Sequence, residues 1–105
     1  MVRYMRILVL FDLPTKTKKN RKDAAKFRTY LLKNGFDMMQ FSVYMRICKG
    51  RECIATYRRR IIQNAPQNGS VRILPIPNSF YERMEIVTGE KTEIEKIGKQ
   101  GILDL

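Results

Sequence analysis

A two-layer α+β sandwich, with one sheet covered by helices, is predicted by three features of the sequence. The first apolar run, Ile7-Leu8-Val9-Leu10-Phe11, is continuous rather than alternating, as in a strand covered on both faces. Two basic segments with helical periodicity, at about 18–34 and 51–65, alternate with stretches rich in β-branched and aromatic residues. Within 105 residues there is no internal repeat, no low-complexity linker and no membrane-length apolar run.

Residues 3–12 read as a central strand, and Pro14, which cannot continue a ladder, ends it at about Asp12. Thr17 can cap a helix from about Lys18 to Asn34. Ala24, Phe27 and Leu31 form its apolar stripe, widened by Ala25 and Leu32. Lys22, Lys26 and Lys33 lie on another face, with Arg21 and Arg28 flanking, and Gly35 suits the stop. Residues 36–48 have no helical period and predict one bent strand, or two short ones broken near Gln40. The second helix, 51–65, buries Ile54, Tyr57, Ile61 and Ala65, while Arg58, Arg59 and Arg60 span three directions around it. Pro66 stops it, and Gln67-Asn68-Gly69 is a turn. Val71–Ile76 is a strand in which Pro75 marks an edge or a break. Glu82–Val87 alternates well enough to predict a last, half-buried strand. The order β-α-β(β)-α-β-β, with helices covering one sheet, is the ferredoxin-like sandwich. It spans residues 1–89, and 90–105 form an extension, mobile or docked on a partner, that ends in the apolar group Ile102, Leu103 and Leu105.

The charge is strongly asymmetric. Residues 1–60 hold 16 Lys/Arg against 4 Asp/Glu, whereas residues 61–105 hold 5 against 6. A net charge of +11 gathered in one half points to a polyanion-binding face. Arg21, Lys22, Lys26 and Arg28, then Arg58, Arg59 and Arg60, are the candidate phosphate contacts. The start of the chain has no signal-peptide pattern, and Cys48 and Cys53 are too few for a disulfide framework. They read as reduced thiols of a cytoplasmic protein, with a disulfide between them as the lesser alternative.

The chemistry open to this chain is narrow. It contains no histidine, so a Ser-His-Asp triad is excluded. Nucleotide-binding glycine loops and Cys/His metal spacings are also missing. What remains is carboxylate-bound Mg²⁺ or Mn²⁺ acting on a phosphodiester, for which few protein ligands suffice. Asp12 is best placed, where a central strand gives way to a loop. On spacing alone the favoured reading is a turn-forming aspartate that accepts backbone N–H bonds ahead of Leu13-Pro14. One carboxylate makes a thin metal site, but a symmetric dimer would supply two.

The ordered set Phe11-Asp12-Leu13-Pro14, Lys33-Asn34-Gly35-Phe36 and Met39-Gln40-Phe41-Ser42-Val43-Tyr44-Met45-Arg46 resembles the small CRISPR-associated protein numbered two, the Cas-two family. Gly69-Ser70-Val71-Arg72-Ile73-Leu74 and Met84-Glu85-Ile86-Val87-Thr88-Gly89 extend the resemblance, which is closest to members from type II systems. It implies a homodimer in which a C-terminal strand pairs onto the partner's sheet. It further implies that Asp12 faces its dimer mate across a shared Mg²⁺, and that Tyr44 lies near the interface. Metal-dependent endonuclease activity on RNA or DNA is implied as well. So is a scaffold role, cradling duplex DNA for spacer integration with the Cas-one integrase. Met38 stands where many relatives carry an arginine. The alternatives are an RNA-binding ferredoxin-like module without catalysis and a scaffold that binds only protein. Against the first, the RNP1 string is interrupted, and alternation puts Phe41 and Val43 on one face and Tyr44 on the other. The basic half argues against the second.

Overall fold

The computed structural model describes residues 3–91, and it forms the sandwich from seven elements. These are β1 (Tyr4–Asp12), α1 (Lys18–Lys33), β2 (Asp37–Gln40), β3 (Val43–Lys49), α2 (Gly50–Asn64), β4 (Ser70–Pro77) and the single-turn α3 (Asn78–Tyr81). The sheet order is β2-β3-β1-β4 with every pair antiparallel, the ferredoxin-like arrangement. Pro75 lies in β4, an edge strand, where a missing N–H leaves no ladder bond unmade in the sheet interior.

Local signals set the boundaries. The Thr17 hydroxyl accepts from the Asn20 N–H at 3.0 Å, satisfying one orphan donor at the start of α1. At its end Gly35 takes φ +80°, its N–H donating to Leu32 O while Phe36 N–H reaches back to Leu31 O. The apolar stretch after it resolves into two strands rather than one, joined through Phe41 and Ser42.

β1 is covered on both faces, as its continuous run requires. Ile7, Val9 and Phe11 join Phe27, Leu31, Phe36, Tyr44, Cys48 and Ile61 in the main core, on the side of α1 and α2. Leu8, with Leu10, packs on the other side against Met45 and Tyr81. Arg6 sits on this second side at 0% exposure, its guanidinium 3.7 Å from the Tyr81 ring centre and its Nε donating to Asn78 Oδ1 at 2.7 Å. A charge is held there by stacking and hydrogen bonds, which is how the short α3 is pinned to the sheet.

Two expectations need correction. Residues Glu82–Val87 do not form a strand. The N–H groups of Glu82, Arg83 and Met84 bond back to Asn78, Phe80 and Tyr81 as helical turns, and Val87 is left 94% exposed. A strand needs a neighbour to take its backbone bonds, and no strand of the described residues pairs with this segment. The thiols are not reduced either: Cys48 and Cys53 form a disulfide with a Cα–Cα separation of 5.5 Å. Gly50, at φ +82°, reverses the chain between β3 and α2, and this lays the first turn of the helix over the end of the strand. Most of the 90–105 extension, including Ile102, Leu103 and Leu105, lies outside the described residues. Among the described residues, no helix is long and apolar enough to cross a membrane.

Candidate functional site

Asp12 is the last residue of β1 and is exposed. Side chains alternate across a strand, so Asp12 follows Leu8 and Leu10 onto the side away from α1 and α2. Its ladder partner is Ser70, at the start of β4. The bend beyond it is tightly seated. Gly69, at φ +92°, approaches so closely that a Cβ there would lie 2.5 Å from Asp12 O and 3.0 Å from Pro14 Cδ. Asp12 therefore stands on a rigid strand end with both flanking backbones fixed.

Whether this position fits a divalent cation turns on ligand count. Among the described residues no group of three or more His, Cys, Asp or Glu is gathered to hold a metal. The carboxylate presented at this strand end is that of Asp12. Mg²⁺ keeps several waters and accepts one or two carboxylates, so two copies of Asp12 facing each other would satisfy it. The sheet face that carries Asp12 is thinly covered: Leu10, Met39 and Ile76 are only partly buried there, and Leu74, the ladder partner of Leu8, is 49% exposed.

The cationic candidates lie elsewhere, on the two helices of the opposite layer, and they divide by role. Lys22, Lys26, Arg58 and Arg59 are exposed and project from α1 and α2. Arg21 is partly committed, its Nη1 donating to the carbonyls of Thr15 and Lys16 at 3.0 and 3.2 Å. Arg60 donates to Asn34 Oδ1 at 3.1 Å and lies 5.0 Å from the Tyr57 ring centre. Arg28 is half-buried against Phe11 and Phe41. Lys26 and Lys33 share a groove of about 630 Å³ with Tyr30 and Asn64, between α1 and the end of α2. Asn64 donates to the Tyr30 hydroxyl at 2.9 Å, joining the two helices there.

Tyr44 is 4% exposed and packs 5.6 Å from Phe11 in the main core, on the other side of the sheet from Asp12. Its neighbours Val43 and Met45, paired with Leu10 and Leu8, face the Asp12 side. Arg46 was not a candidate, yet it stacks 4.0 Å from Tyr57 and donates to Asn34 O at 2.9 Å. It fixes the α1–β2 turn, where any side chain at Gly35 would overlap its guanidinium. The arginine inside the otherwise apolar run Val43–Cys48 was the signal available for it.

Fold and site together define a small, basic ferredoxin-like protein with one presented strand-end carboxylate. The family model for the CRISPR associated protein Cas2 matches residues 5–84. Over 103 residues the chain is 42% identical to a CRISPR-associated endoribonuclease Cas2 of Campylobacter jejuni, covering 98% of this chain and 72% of that protein. It is 42% identical over 95 residues to the protein of that name from Flavobacterium psychrophilum, covering 90% and 83%. For the one from Lacticaseibacillus rhamnosus the identity is 35% over 100 residues, covering 94% and 99%. The chain belongs to the CRISPR-associated Cas2 family.

Proposed function

We propose that this protein is a nucleic-acid-binding homodimer that cleaves phosphodiesters with Mg²⁺ or Mn²⁺ held between two Asp12 carboxylates. The same dimer cradles duplex DNA for spacer integration with the Cas-one integrase. The observation that carries this reading is the division of the sheet into two sides. Asp12 lies beside an under-covered apolar surface, and the exposed cations lie on the helices opposite. Relatives of this chain carry the name endoribonuclease, which supports RNA as a substrate for cleavage.

The residues divide the work. Asp12 would hold the cation, and the Gly69 contact keeps its backbone from shifting as ligands bind. When bound, the cation supplies Lewis-acid polarisation of a phosphoryl oxygen and a more acidic bound water. Lys22, Lys26, Arg58 and Arg59 would neutralise backbone phosphates and so position the strand without reading its sequence.

Pairing of the two Asp12 surfaces predicts a sedimentation mass near twice 12.4 kDa. A clean monomer at tens of micromolar contradicts it. Duplex binding should follow counterion release. If about four to six phosphates are neutralised, log K falls with log salt at a slope of roughly −4 to −5. Replacing Lys22, Lys26, Arg58 and Arg59 by glutamine should flatten that slope. A salt-independent affinity, or a strong preference among sequences, would count against a phosphate-directed surface.

A further inference from the structure

Phe41 is a large aromatic side chain left 77% exposed at the tip of the β2–β3 connection. It belongs neither to the main core nor to the smaller cluster on the Asp12 side. Its position is nonetheless fixed. Ser42 adopts φ 64°, a left-handed conformation uncommon for a residue with a side chain, and its carbonyl accepts from the Phe11 N–H at 3.1 Å. That bond sets the tip against the end of β1, one residue before Asp12.

Arg28 completes the arrangement. Its guanidinium carbon lies 5.1 Å from the Phe41 ring centre and 5.7 Å from that of Phe11, a cation placed between two rings. Its Nε is buried with no hydrogen-bond partner. Arg21 lies seven residues, or about two turns, earlier on the same side of α1. Two arginines of α1 therefore line up toward an open phenyl ring at the Asp12 end of the sheet, on the side of the helices.

We infer that Phe41 is a stacking platform for an unpaired nucleobase, with Arg28 holding the ring and taking the adjacent phosphate. A flat π-face beside a cation suits a nucleotide, because stacking is available to every base and the phosphate meets the charge. A paired base offers no free face except at a duplex end. The platform thus selects single-stranded RNA or DNA at the Asp12 end of the sheet, while the helix cations serve duplex and single strand alike. The inference rests on the nucleic-acid-binding reading above and adds the choice of substrate form.

The chain contains no tryptophan, so Phe41→Trp places a unique reporter at the tip. Titration with single-stranded RNA and single-stranded DNA should quench its emission, and a hairpin-closed duplex of equal length should not. Phe41→Ala and Phe41→Leu should each weaken single-strand binding about tenfold and leave duplex binding within about twofold. Loss with leucine matters, since leucine keeps the apolar bulk and removes only the π-face. If duplex binds normally while single-strand affinity is unchanged in both variants and the reporter is silent, the platform does not exist. If Phe41→Ala instead dissociates the dimer with single-strand binding intact, the ring is a subunit contact and the inference fails. Absence of all nucleic-acid binding by the parent would remove the underlying reading itself.

Discussion

Asp12→Asn should reduce metal-dependent cleavage by on the order of a hundredfold or more, the scale seen when one electrostatic stabiliser is removed from a catalytic site. Asparagine keeps the size and hydrogen bonding of aspartate and removes its charge. Asp12 is exposed at a strand end, so the substitution leaves no buried group unpaired and the fold should be unaffected. In a dimer without metal, two facing carboxylates repel, and the variant should be no less stable than the parent. Duplex binding should survive, because Lys22, Lys26, Arg58 and Arg59 belong to the opposite layer. Cleavage assayed with Mg²⁺, Mn²⁺ and chelator, beside spacer integration with the Cas-one integrase, separates the two activities. Lost cleavage with intact integration is the expected result. Equal cleavage by parent and variant would rule out Asp12 as the ligand.

Gly69→Ala should be the most damaging conservative change outside the core. The new methyl group would meet a backbone oxygen at 2.5 Å, and φ +92° is itself unfavourable for any residue with a Cβ. A backbone atom cannot swing aside as a flexible side chain would. Relief requires the Asp12–Pro14 bend to move, at a cost of about 1–3 kcal/mol. Displacement of Asp12 should then lower cleavage well beyond the fraction of protein unfolded. Urea denaturation, with activity measured far below the midpoint, distinguishes loss of stability from loss of geometry. Gly50→Ala is the useful control, since it shares a positive φ of +82° but its Cβ would meet nothing within 4 Å. Only the Gly69 variant should lose activity in excess of stability.

The elements most legible in the sequence were those with local causes. Thr17, Gly35 and Pro66 mark helix ends through bonds or exclusions within a few residues, and the helices stop where they indicate. The continuous run from Ile7 to Phe11 correctly announced a strand covered on both sides. What stayed hidden depended on partners distant in the chain. Arg6 is buried because Asn78 and Tyr81, some seventy residues later, close over it, and no strand periodicity records that. The disulfide follows from a backbone reversal at Gly50 that residue counting does not reveal. The alternation of Glu82–Val87 reads as a strand, but alternation specifies only a two-sided environment and not the neighbour that would complete a ladder. For the site, Asp12 was visible as a charge at the end of an apolar strand, whereas the seating by Gly69 needed coordinates. The cations were visible as a group, but only the structure separates exposed Lys22 and Lys26 from Arg28, which is stacked between rings.

The central claim is that two copies of Asp12 share one divalent cation, and Mn²⁺ binding stoichiometry tests it most directly. Titration of the metal-free protein, followed by the electron paramagnetic resonance of free Mn²⁺, should give about one site per two chains. That site should vanish in Asp12→Asn while the sedimentation mass stays dimeric. One site per chain, or a site that persists unchanged in Asp12→Asn, would contradict the account.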